Sequence, residues 1–198
     1  MKPYEMIMSP YEVWIAPVGE AFPAVDTAPS GNWALLGTNG KKNISDDGVV
    51  VTHEQTLSEH RNVGSTGAIK VGRTEESLTV ELTLEDLSIE QYAKVLNNAT
   101  VTTVAAGTGV PGTKEIPLRQ GIDVSTFAML VRGKSPYGDT FYMQYELPVV
   151  YQADNPAPAF KKGEVAGLKL SFKVLEDPNA ATDDERFGKL IAQNAAAL

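Results

Sequence analysis

Residues 78–84 read LTVELTL, and this alternation constrains the fold more than any other feature of the chain. It puts Leu78, Val80, Leu82 and Leu84 on one side and Thr79, Glu81 and Thr83 on the other. A period of two fits a strand with one buried face and one wet face. The pattern returns at 168–174 (LKLSFKV) and at 123–132, where Phe127, Met129 and Val131 share a side. It returns again at 140–151, where Phe141, Met143 and Tyr145 alternate with Tyr142, Gln144 and Glu146. Turn chemistry at 133–139 (GKSPYGD) joins two of these runs, and Pro148 predicts an edge or a bulge near the end of the second.

Residues 12–18 and 48–57 are further β-prone stretches, and 33–37 (WALLG) reads as a short strand closing on a turn at 38–40. A Pro/Ala/Gly-rich segment over 19–31 predicts an irregular loop. The polar stretch 58–77 carries Gly64, Gly67 and Gly72 and few large apolar groups. It predicts a long hairpin whose tip projects from the domain. Residues 88–98 predict a helix, with Ser88 and Gln91 in a capping-box spacing, Ile89, Tyr92, Ala93 and Leu96 on one face, and Asn97-Asn98 as a stop. Residues 100–112, rich in Thr, Ala and Gly, predict a loop with at most a short strand. From Thr182 onward a second capping-box spacing with Glu185, and a stripe of Phe187, Leu190 and Ile191, predict a terminal helix. Strands, one helix, more strands and a closing helix give a mainly β domain, not a βαβ chain.

With 198 residues, one domain over 1–198 is expected. A core of this size buries about 70% of the unfolded surface, enough to fold without a staple. Cysteine is absent, which excludes disulfides, thiolate nucleophiles and Cys-ligated zinc. Residues 1–11 lack the apolar core of a signal peptide, and no run reaches the roughly 20 apolar residues that span a bilayer. A soluble protein that is not exported by a cleaved signal is therefore expected. The net charge of −8 disfavours tight nucleic-acid binding, which draws its affinity from lysine and arginine. Contact with DNA that slides without sticking remains compatible with that charge.

No catalytic constellation emerges. The two histidines, His53 and His60, sit in HEQTLSEH, seven residues apart on a β-prone segment, where a helical zinc motif needs His-Glu-x-x-His. Gly133-Lys134-Ser135 resembles the end of a phosphate loop, but Ala128 stands where the motif needs glycine. The carboxylate pairs Asp46-Asp47, Glu75-Glu76, Glu85-Asp86 and Asp183-Asp184 read as solvated charge. We therefore expect no catalytic, cofactor or metal residues, and no enzyme.

The layout resembles the tail-tube (major tail) proteins of long-tailed bacteriophages and gene transfer agents. The similar parts are Trp33-Ala34-Leu35-Leu36-Gly37, the turn into a strand at Asp46-Asp47-Gly48-Val49-Val50-Val51, and the glycine-bearing hairpin. The strand 78–84 running into the helix 88–98, and a late strand ending in Lys173-Val174-Leu175-Glu176-Asp177, complete the likeness, which spans 33–198.

The resemblance implies a β-sandwich or half-barrel with a flanking helix, a projecting hairpin, an N-terminal arm over about 1–30 and a C-terminal extension over about 178–198. It implies homohexameric rings stacking into a hollow tube that conducts double-stranded DNA without specific binding. Expected partners are the tape measure, the terminator and the distal tail proteins, in a virion tail assembled in the host cytoplasm. Glu54, Glu81 and Glu146 are candidates to face the lumen. Arg61, Asn62, Val63, Gly64, Gly67, Ile69 and Arg73 are candidates to touch neighbouring subunits or rings. A tube or terminator ring of a contractile injection system, and a β-sandwich binding module, stand as alternative readings.

Overall fold

A computed structural model describes residues 5–97 and 99–196 of the chain. The predicted strands form as antiparallel partners. β1 (Glu12–Ala16), β2 (Ala34–Leu35), β3 (Ile44–His60), β4 (Lys70–Leu84), β7 (Phe127–Lys134), β8 (Tyr142–Gln152) and β9 (Leu168–Val174) lie in the order β2-β1-β7-β8-β9-β4-β3. The remaining strand of that sheet, β10 (Lys189–Ala192), pairs with β8. A separate ribbon joins β5 (Thr102–Val104) to β6 (Thr113–Glu115), and α1 (Ile89–Val95) is the α-helix among the described residues.

The sheet curls until its two sides meet. A Cβ on Gly37, two residues beyond β2, would stand 3.1 Å from Leu84 Cδ1 in β4. Those strands are five places apart in the sheet, about 24 Å at ~4.8 Å per strand if it were flat. The Leu36 N–H donates to the Val13 carbonyl of β1, while Glu85 N–H, just past β4, donates to the Asn43 carbonyl. The core fills this curl: Val13, Leu36, Leu78, Val80, Leu82, Leu84, Val95, Met129, Val131, Leu147, Leu170 and Phe172 form one buried cluster. One curled sheet thus supplies both sides of the core, instead of two facing sheets.

Both faces of the central strand β7 are covered. Met129 and Val131 enter the main core, while Ala128 and Leu130 enter a second cluster with Ala16 and Trp33, flanked by Trp14 and Phe22. The lid over this second cluster is the segment 17–33, whose stretch 19–31 is irregular as predicted; Pro17, Val18 and Trp33, read as strand residues, join it instead, and the whole is held down as a strap. The Trp33 indole N–H donates to the Ala21 carbonyl at 2.9 Å, and its ring lies 5.1 Å from Phe22.

Three local expectations need correction. The helix is shorter than 88–98, and its capping box does not form: Ser88 makes no side-chain cap, and Gln91 instead accepts the Gly37 N–H at 3.0 Å. Asn97 does stop the helix, in a left-handed conformation (φ 55°), with its amide donating to the Gln120 and Asp123 carbonyls. Asn98 lies outside the described residues. The terminal helix expected after Thr182 does not form among the described residues. Only a 3-10 turn, Asp183–Glu185, forms before Gly188 at φ 96° leads into strand β10. A free stretch of β8 offers backbone partners there, and tertiary pairing overrides a weak helical preference. The segment 100–112 contributes to the β5–β6 ribbon.

Candidate functional site

Two features set this sheet apart from a closed core: an arm and a fork. The last pair between β4 and β9 is Thr79 with Lys173. Beyond it, residues 70–78 of β4 continue with only β3 beside them, about 30 Å of two-stranded arm at ~3.3 Å per residue. A bulge at Thr56/Leu57 interrupts the arm's register, where the Thr74 hydroxyl donates to the Thr56 carbonyl. Past Leu78 every residue of the arm's two strands is exposed or half-exposed. Leu57 (52% exposed), Ile69 (57%) and Val71 (57%) fall on the side that continues the core face. None of the described residues covers them.

The fork arises because one edge of β8 serves two strands. Residues 150–152 pair with β9, and residues 143–146 pair with β10. Pro148, which has no N–H to give, stands where the edge passes from one partner to the other. Gly188 allows β10 to enter closely, with the Glu146 carbonyl against its α-carbon. β10 forms one prong and the β3–β4 arm the other. Between them lies a groove of about 500 Å³, with Leu78, Tyr145, Leu147, Phe187 and Leu190 as apolar lining and His53, Arg73 and Glu76 as polar lining. The free edges of β10 and β4 border it, and the outer edge of β3 has no partner strand among the described residues. Unpaired edges are templates for another strand.

The hairpin candidates sit as follows. Arg61, Asn62, Val63, Gly64 and Gly67 lie in the tip between the strands, Ile69 just before β4, and Arg73 within it. The tip is shaped by Ser65, whose N–H donates to the Asn62 carbonyl at 3.0 Å and whose hydroxyl donates to the Gly67 carbonyl at 3.0 Å. Arg61 pairs with Glu59, and Arg73 bonds Gln55 at 3.1 Å and Glu76 at 3.0 Å. The Val63 side chain is fully exposed.

The acidic candidates divide. Glu54 and Glu81 lie on the outer face of β3 and β4, Glu54 exposed and accepting from Ser77 at 3.1 Å, Glu81 half-buried. Lys169 approaches Glu81 at 3.9 Å, and Lys173 stands on the same face, so that surface is mixed in sign. Glu146 is 5% exposed beneath the strap, accepts from the Gln144 amide at 2.7 Å and faces Lys189 at 3.8 Å.

The strap's polar anchors escaped sequence reasoning. The Arg132 guanidinium donates to the Val25 and Thr27 carbonyls, and the Gln144 amide donates to the Pro23 carbonyl at 2.8 Å. Burial lowers the pKa of Arg132, opposed by Tyr142, Glu12 and Asp26. On the core side, Tyr11 is pushed up to about 12, chiefly by burial and then by Tyr145, and its hydroxyl donates to the Lys134 carbonyl at 3.1 Å.

Among the described residues no group of three or more histidine or acidic side chains is placed to hold a metal ion, and no helix is long and apolar enough to cross a membrane. The arrangement as a whole offers strand edges and uncovered apolar side chains, which are means of association. No protein-family model matches the chain, and no curated protein matches it.

Proposed function

We propose that this chain is a structural subunit that closes into rings and stacks into a hollow tube, as the resembled tail-tube proteins of long-tailed phages do. The observation that carries the reading is the arm. It extends two strands about 30 Å beyond the sheet and leaves Leu57, Ile69 and Val71 uncovered. A two-stranded ribbon is marginal alone in water, so an arm of this length gains its ordering from a surface outside the chain. The curl of the sheet and the unpaired edge of β3 support the same reading, because head-to-tail pairing of such edges closes a ring.

In this role the partners are further copies of the chain and the proteins at the tube ends, the site of action is a virion tail, and DNA passes without being gripped. Glu54 and Glu81 then belong to a lumen face that is mixed in sign, whereas Glu146 serves inside the subunit. Replacing residues 56–75 by Asn-Gly leaves Gln55 and Glu76 as the closing pair of a short hairpin. The shortened protein is expected to keep its far-UV circular dichroism and to lose every species larger than a small oligomer in sedimentation velocity. Undiminished large assemblies would remove the arm from the account.

A further inference from the structure

In a chain of net charge −8, one pocket is positive. It encloses about 320 Å³ on the outer face of β1, β7 and β8, beside the strap residues Ala28 and Pro29. Lys41, Arg132 and Lys134 line it against a single carboxylate, Glu12. Arg132 and Lys134 both stand over the Tyr142 ring, 4.5 and 4.9 Å from its centre. Arg132 is committed to the strap carbonyls, whereas Lys41 and Lys134 have no ion-pair partner among the described residues. Trp14 supplies a wall of the same pocket, and its buried indole N–H has no acceptor among the described residues. Lysines without a counter-ion around one pocket are a standing cost that an anionic side chain relieves.

The complementary feature lies on the other flank of β8. The turn Asp183–Glu185 leads into β10, and its three acids are exposed. Asp183 is paired with Arg186, while Asp184 and Glu185 make no ion pair among the described residues. A positive pocket on one flank and an acidic turn on the other form the two halves of a head-to-tail contact.

We propose that the Lys41–Lys134–Trp14 pocket is a receptor for acidic side chains, and that its occupant is the Asp183–Glu185 turn of a second copy of this chain. The choice of a second copy rests on the assembly reading above; the pocket's taste for carboxylates does not.

Two experiments separate the parts. Fluorescence anisotropy of a labelled, end-blocked ATDDE peptide (residues 181–185) is expected to show saturable binding. Binding should weaken roughly tenfold or more for the amide peptide ATNNQ, and likewise in the Lys41→Gln/Lys134→Gln protein with unchanged circular dichroism. Equal binding of both peptides, or no effect of the double substitution, overturns the receptor. For the occupant, Lys41→Glu/Lys134→Glu and Asp184→Lys/Glu185→Lys are each expected to abolish assembly, and the four changes together in one chain to restore it. Assembly of the wild type without that rescue overturns the second copy as occupant. A wild type that never assembles sinks the assembly reading, and with it this occupant, while the peptide result still decides the receptor.

Discussion

The α-carbon of Gly188 lies so close to the Glu146 carbonyl oxygen that a Cβ added there would stand 1.9 Å from it. With φ at 96°, the position also lies in a region that side chains rarely adopt. This contact brings β10 onto β8 and sets one prong of the fork. Gly188→Ala is therefore expected to cost about 2–4 kcal/mol if β10 stays docked, or to undock it. Hydrogen exchange reads the difference: amides of 189–192 should lose protection while those of 128–131 keep theirs. Unchanged protection at 189–192 would show that the docking does not depend on this glycine.

Gly133 makes the matching contact on the core side. A Cβ there would stand 2.1 Å from the Tyr11 ring. Gly133→Ala should destabilise by about 1–3 kcal/mol, and most of that should vanish in a Tyr11→Ala background. Denaturant unfolding of the four proteins in this cycle gives the coupling. Additive effects would mean that the ring simply moves aside.

How much of this was legible in the sequence depends on the range of the interaction that decides each element. The alternation in 78–84 and 168–174 survives because both strands keep one wet face, and Leu78, Val80, Leu82 and Leu84 are all buried as read. Gln144 and Glu146 occupy alternate positions of the same kind, but a strap more than a hundred residues upstream covers them. Nothing local to β8 announces that cover; the proline-rich 17–33 with its Phe22 and Trp33 was the available clue. The terminal segment misled for a related reason. Its capping-box spacing and apolar stripe are local, while the free edge of β8 that captures Lys189–Ala192 is not. In the arm, the sparse large apolar residues of 58–77 did signal projection, but not that Leu57, Ile69 and Val71 share a side.

Asp86 ties the turn after β2 to the start of α1. Burial alone would raise its pKa, but hydrogen bonds from the Thr38 hydroxyl and N–H and from the Ser88 N–H outweigh burial and bring it to about 2. A carboxyl lowered on folding contributes stability that is full above its unfolded pKa, near 4, and is lost as pH falls towards 2. Asp86→Asn should thus lower stability at pH 7 by about 1 kcal/mol and flatten the decline between pH 4 and pH 2. Urea midpoints across that range provide the check, and an acid limb as steep as the wild type's would contradict the assignment.

Leu130 holds the strap from beneath. It is fully buried with Ala16, Ala128 and Trp33, away from the main core. Leu130→Ala should cost about 2–5 kcal/mol and redden Trp33 emission as water reaches the second cluster. An equal loss of stability with unshifted emission would mean that the strap holds without this contact.

Negative-stain electron microscopy of the purified, concentrated protein tests the central proposal most directly. The account predicts rings with a central hole, or stacks of them. Compact dimers without a hole at every concentration would contradict it.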